Sequence, residues 1–270
     1  MKSLFPVVTL AVLLVAACAQ DERPRPAVPA LHEPSISIGP TGPLPPLPPR
    51  VPAAYRSVNI DRPLVALTFD DGPHPELTPR LLDILRQQGV RATFYVVGRN
   101  VDAYPDIARR IVVEGHEIAN HTYTHPHLTK IGAARIDQEI SKTTDAIQRA
   151  TGRRPTNMRP PYGSINARVE EVLLRKHGLD VIMWSVDPLD WRRPGPAVVT
   201  QRMVEGARPG GILLAHDIHP GTIEAMPATI AQLKAKGFGF ATVSQLLALQ
   251  QAASARAPLA GVPRESTGTP

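Results

Sequence analysis

The chain holds a single cysteine, Cys18, in 270 residues. With no second thiol there is no internal disulfide and no thiolate zinc site. Aromatic side chains are scarce, at 4%. They are not interleaved with basic residues, and no RNA- or DNA-binding motif is present, so no nucleic acid partner is expected. Long apolar runs are also missing, and Val7–Ala17 is too short to span a bilayer. No repeat stands out beyond an alternation of short apolar runs with amphipathic stretches. The formal charge of +6 is a modest basic excess. It suits anionic cell-surface polymers or lipid headgroups, and equally the ordinary surface of an exported protein.

The chain does contain much proline, and many of these residues crowd 19–57. Such a segment has no apolar periodicity, cannot bury a core and favours extended conformations. It reads as a disordered, semi-rigid tether, with a ligand for a Pro-binding domain as the alternative. Before it, residues 1–18 read as an export signal: Lys2, an apolar run, then Val15-Ala16-Ala17-Cys18. The cysteine there resembles the lipobox of bacterial lipoproteins, which implies a lipid anchor at Cys18 and a periplasmic or cell-surface location. A plain secretory signal is the alternative. Residues 251–270 read as a disordered tail, leaving 58–250 as one domain with its own core.

Within that domain the pattern alternates. Strands are expected at Leu64–Phe69, Ala92–Val97, His116–Ala119, Asn157–Arg159, Val181–Trp184, Gly211–Ala215 and Phe238–Val243. Helices are expected at Leu77–Gln88, Ala103–Glu114, Ile131–Ala150, Ala167–Lys176, Ala197–Ala207, Ile223–Lys236 and Gln245–Leu249, several closed by glycine. Seven or so β/α units imply an α/β fold with a parallel sheet, either doubly wound or closed as a barrel. Either way, the strand C-terminal ends share one face, where a site would be built.

The residues at those ends are chemical ones. LVALTFDDGP ends its strand on Asp70 and Asp71, two carboxylates whose mutual repulsion calls for a reason such as a bound cation. An Asp-Gly turn is the bland alternative. His121 and His125 follow the third strand at i, i+4 spacing, which on one helical turn would face both imidazoles the same way; Pro126 would stop that turn. Two histidines and a carboxylate form a usual catalytic zinc set with an open position. Arg159, before Pro160-Pro161-Tyr162-Gly163, can hold a catalytic carboxylate through a bidentate pair. Asp190-Trp191 and His216-Asp217 follow the later strands.

TFDDGP, HTYTH, RPPYG, DPLDW and LLAH, in this order, resemble the five motifs of the polysaccharide deacetylase family, also called NodB-homology or carbohydrate esterase family 4. The resemblance spans about Leu64 to Val243. It implies a distorted, incompletely closed barrel of the (β/α)7 type. It also implies metal-dependent removal of acetyl from N-acetylated, sometimes O-acetylated, sugars. By the same resemblance Asp71, His121 and His125 are the metal ligands, for a divalent ion expected to be zinc. Asp70 is the general base, positioned by Arg159, and His216 is the general acid, partnered by Asp190. Tyr162 offers a backbone N–H to the oxyanion, and Trp191 and Leu214 line the acetyl pocket. Such a division supplies what amide hydrolysis needs: a nucleophile, an oxyanion stabiliser and a proton for the leaving amine. The favoured substrate is a cell-wall polymer, peptidoglycan GlcNAc or MurNAc. Chitooligosaccharide or acetylxylan is the alternative, and a catalytically silent glycan-binding module is the reading from another class. Ala215 stands where family members often carry leucine, so a widened acyl pocket is expected if it borders that pocket. His74, His127 and His219 read as loop residues without a role, and His116 and His177 as structural.

Overall fold

The computed structural model describes residues 54–256. The expected export signal, Cys18, all but the end of the tether and most of the tail lie outside them. The element order is β1 (Leu64–Asp70), α1 (Leu77–Gln88), β2 (Thr93–Val96), α2 (Gly98–Ala103), α3 (Pro105–Val113), β3 (Glu117–Asn120) and α4 (Ala133–Thr151). There follow β4 (Asn157–Met158), α5 (Ala167–Glu171), β5 (Asp180–Val181), α6 (Pro196–Gly206), β6 (Gly211–His216), α7 (Pro220–Ala235), β7 (Gly239–Phe240) and α8 (Val243–Arg256).

All seven strands pair in parallel, in the order β5-β4-β3-β2-β1-β6, with β7 beside the start of β1. The sheet curls towards closure without completing it. Isolated bridges Tyr55↔Ile182, Ser57↔Gly211 and Val186↔Leu213 span the gap between the β5 side and β6. This is an open, incompletely closed (β/α)-type barrel.

Side-chain alternation along the strands sorts the core into two layers. Val65, Leu67 and Phe69 of β1, with Leu213 and Ala215 of β6, face the helices and pack with Leu81, Leu82, Leu85 and Met226. Ala66 and Ile212 face the other way. They join Tyr95, Ala119, Val243, Leu246 and Leu247 in a smaller inner cluster. In the same inward register, β1 ends on Asp70 and β6 on His216, which are directly paired neighbours. Two apolar strands thus deliver a carboxylate and an imidazole side by side.

Several element boundaries differ from the sequence reading for identifiable reasons. The helix expected over 103–114 runs from Pro105 to Val113, and an unexpected helix, α2, ends just before it because Tyr104 precedes Pro105 and takes φ −133°, ψ 58°. Residues 54–57, expected in the tether, are part of the fold: Tyr55 N donates to Val181 O and Met183 N to Tyr55 O. The last strand is cut to two residues because Thr242 and Gln245 cap α8 reciprocally. That helix then runs to Arg256, beyond the expected start of the tail. No helix among the described residues is long and apolar enough to cross a membrane.

Candidate active site

Asp70, Asp71, His121, His125, Tyr162, Trp191, Leu214 and His216 line one cavity of about 430 Å³ at the C-terminal ends of the strands. Arg159 and Asp190 lie beneath it, both buried. All ten residues singled out in the sequence are therefore at one place.

Asp70 points inward from the last position of β1. Arg159 Nη1 donates to its Oδ1 at 2.6 Å. The pair is not bidentate, contrary to the sequence expectation. The guanidinium also donates to Thr68 Oγ1 (2.9 Å) and Met183 O (3.0 Å), stacks on Tyr95 at 4.1 Å, and leaves its buried Nε without a partner. Bonds to two strand ends and the stacking on a third hold the arginine in place, with only Nη1 directed at the carboxylate.

Asp71 leaves the strand with φ 76°, so its side chain turns away from that of Asp70. Its Oδ1 lies 3.4 Å from His121 Nε2 and 3.1 Å from His125 Nε2. The two histidines do not sit on a helical turn. Thr122 and His125 both have positive φ, at 65° and 62°, and the loop between them folds around two side chains from its flanks. Asn120 Oδ1 accepts from Thr122 N. Glu139 of α4, itself buried, accepts from Tyr123 N (2.9 Å), Thr124 N (2.7 Å) and Thr124 Oγ1. Those competing bonds make a looped backbone cheaper than a helical one here. Glu139 was missed in the sequence. Its sole signal is a lone acid on the buried face of an amphipathic helix.

The ligand set can be tested by its chemistry. His121 Nδ1 donates to Arg159 O at 2.6 Å, and the Tyr162 hydroxyl is 3.1 Å from His125 Nδ1. With Nδ1 engaged, each imidazole presents its Nε2 to Asp71 Oδ1. That oxygen is buried and has no hydrogen-bond partner. Burial raises the Asp71 pKa, but the two imidazoles beside it outweigh burial and hold the carboxyl well below the usual range. Three acceptors within 4.8 Å of one another fit a bound divalent cation with ordered outer partners.

Opposite, His216 Nδ1 meets Asp190 Oδ1 at 2.8 Å, and His216 N donates to Asp190 Oδ2 at 2.8 Å. Thr222 Oγ1 also donates to Oδ2, at 2.7 Å. Burial opposes a charge on His216, yet the bond to Asp190 and the nearby Asp70 and Asp71 raise its pKa to about 9. The imidazole is therefore protonated at neutral pH and aimed into the cavity.

Ala215 does not border this cavity. It faces the helix layer with Phe69, and Leu214 is the β6 residue on the lining. The expectation of a widened pocket fails on strand alternation. His219, read as a loop residue, lines the cavity with its ring centroid 5.8 Å from that of His216. His127 stacks on Tyr162 at 3.9 Å. His116 is buried and accepts from Ala92 N.

Comparison with known proteins agrees with this geometry. The family model described as polysaccharide deacetylase matches residues 57–182. A peptidoglycan-N-acetylglucosamine deacetylase of Listeria monocytogenes is 42% identical over 182 residues, 67% of this chain and 38% of that protein. A chitooligosaccharide deacetylase of Rhizobium leguminosarum bv. trifolii is 41% identical, covering 71% of this chain and 86% of the relative. The solved structure of T48 deacetylase with substrate superposes with a TM-score of 0.66 at 42% identity, over 69% of this chain and 92% of that one. The chain belongs to the polysaccharide deacetylase family. Its matched part spans about two-fifths of the length of the Listeria relative.

Proposed function

We propose that this chain is a metal-dependent hydrolase that removes acetyl groups from N-acetylated sugars of a cell-wall polysaccharide, with peptidoglycan favoured. The observation that carries the reading is the facing of two groups across one cavity: an arginine-held carboxylate beside a 2-His-1-Asp set, and a protonated His216–Asp190 pair. A binding module needs neither. The Listeria relative, a peptidoglycan deacetylase by its name, supports the substrate class. The Rhizobium relative supports chitooligosaccharide as the second reading.

In this reading Asp71, His121 and His125 hold a divalent ion, zinc being the natural choice for two imidazoles and a carboxylate. Such an ion, when bound, acidifies water and polarises an acyl oxygen. Asp70 takes the proton of the attacking water, and Arg159 keeps its carboxylate aimed. The Tyr162 backbone N–H faces the developing oxyanion. His216 gives its proton to the departing amine, and Asp190 fixes the imidazole so that Nε2 is the donor. Trp191 and Leu214 wall the acetyl methyl. The protein is exported to the periplasm or cell surface and anchored through Cys18.

Acetate release from peptidoglycan, chitopentaose and acetylxylan, each with and without chelator, tests the proposal. Release from peptidoglycan that stops with chelator and returns with zinc is the expected result. No release from any of the three, with metal bound, would leave a silent glycan-binding module.

A further inference from the structure

A second cavity of about 380 Å³ adjoins the first, and His219 lines both. Its walls include Arg193, Pro194, Gly195, Pro220 and Gly221, and it reaches inward to Asp190. Arg193 follows the turn that carries Trp191, with φ 54°. It is exposed and forms no ion pair with any described residue. Arg192, also exposed, lies over the Trp191 ring at 4.7 Å and likewise has no carboxylate partner among the described residues. The carboxylates nearby are engaged. Asp190 is held by His216 and Thr222, and Asp187 Oδ1 accepts from Leu189 N. This side of the site therefore presents two guanidinium groups without an ion-pair partner among the described residues, while the Asp190 carboxylate on the inner wall is taken up by His216 and Thr222.

We propose that the second cavity is a subsite for a carboxylate-bearing substituent of the sugar, with Arg193 as its anion-binding group. The inference rests on the deacetylase reading and narrows its substrate class. An acetamido group on carbon 2 that reaches Asp70 and His216 leaves the carbon-3 substituent against the neighbouring wall, where His219 separates the two cavities. A neutral sugar carries only hydroxyl there. A muramic-type sugar carries a lactyl ether ending in a carboxyl group, either free or extended by a peptide with carboxylates of its own. Guanidinium is the group best shaped to take such an oxygen pair. The half-buried His219, whose pKa is lowered chiefly by burial and further by His216 and Arg193 against the opposing Asp190, is a hydrogen-bonding neighbour for it. The space is open: a Cβ on Gly195 would meet nothing within 4 Å, and one on Gly221 only Pro196 Cδ at 4.0 Å.

Two full-chain variants test the subsite, Arg193→Gln and Gly221→Leu, the second filling the cavity without changing charge. Acetate-release kinetics are compared on chitopentaose, on glycan strands freed of peptides by an amidase, and on strands with intact peptides. Both variants should raise KM about tenfold on carboxylate-bearing strands, the scale of one charge-assisted hydrogen bond, with kcat and the chitopentaose values little changed. A larger effect on the peptide-free strands assigns the lactyl carboxylate; a larger effect on intact strands assigns the peptide. An equal rise on all three substrates, or none on any, overturns the proposal. If the wild type releases no acetate, NMR titration with N-acetylmuramic acid against N-acetylglucosamine still decides the subsite. Preference for the acid that Arg193→Gln abolishes supports it, and equal response to both sugars sinks it.

Discussion

On one side of the cavity Asp71, Thr122, His125 and Tyr162 all sit at positive φ, between 58° and 76°; on the other, His216 ends a regular strand, and only Leu189 and Arg193, flanking Asp190–Arg192, sit at positive φ, at 56° and 54°. Non-glycine residues in that region cost of order 1–3 kcal/mol each. The ligand side meets this cost with a rigid frame. Asn100 Nδ2 donates to Asp71 O, Asn120 holds Thr122, and Glu139 collects the next two amides. The acid side is held by a smaller frame, in which Asp190 accepts from His216 N and Thr222 Oγ1 and Asp187 Oδ1 accepts from Leu189 N. Asp190 comes from a loop, and the second cavity opens next to it. The contrast teaches that strained backbone is concentrated on the side of Asp71, His121 and His125, whereas the open space lies beside His216 and Asp190.

The frame breaks hardest at its centre. Arg159→Leu would leave Asp70 as a buried carboxylate without a partner and should cost about 3–5 kcal/mol of stability, read by urea denaturation. Next, the two neighbouring carboxylates should separate. Asp70→Asn should retain metal by mass spectrometry while losing roughly a hundredfold or more in turnover. Asp71→Asn should lose metal affinity, with partial rescue by added zinc. Reversed results would swap the two assignments.

On the acid side the prediction is one of pH. His216 must be protonated to donate, so kcat/KM should fall as pH rises through about 9. Asp190→Asn should move that basic limb down towards the ordinary imidazole range. Stability follows the same sign. The folded pKa exceeds the unfolded one, so the stabilisation is full below about 6.5 and fades as pH climbs through about 9. A limb that stays in place in the variant would show that His216 is not the titrating acid.

Smaller effects sharpen the comparison. Glu139→Ala removes a charged acceptor from two loop amides and should cost about 1.5–3 kcal/mol. Zinc competition should show weaker metal binding, while the pH limb of His216 stays where it was. Ala215→Leu overpacks the helix-facing core and should cost about 1–3 kcal/mol. Its preference for acetyl over propionyl substrates should not change, since the side chain is on the wrong face of β6.

The unequal walls also explain what could be read from sequence. Strand ends are local facts: an apolar run that stops at Asp70 or at His216 announces its own geometry, and periodicity located the long helices closely. The loop 121–127 is different. Its spacing suggested a helical turn, and what bends it instead is Glu139, a residue 14 positions beyond His125 that declares itself only once α4 is docked. Ala215 is the opposite case, because alternation outward from His216 along an already legible strand puts it on the helix-facing side of β6 and away from the pocket. Thr242-Val243-Ser244-Gln245 carries a legible capping box, yet the preceding apolar residues extend the expected strand through Val243 and delay the expected helix to Gln245.

Arg159 also bears on how the molecule assembles. Its side chain binds Thr68 and Asp70, 91 and 89 residues away, and Met183 O, 24 residues away. A guanidinium can lose its water only when all three partners are present, so no half-built barrel offers it a stable place. Partial opening between β4 and β1 would hydrate Arg159, release Asp70 and displace His121, whose Nδ1 leans on the Arg159 carbonyl. Activity and the slowest-exchanging amides of β1 should be lost together rather than in sequence.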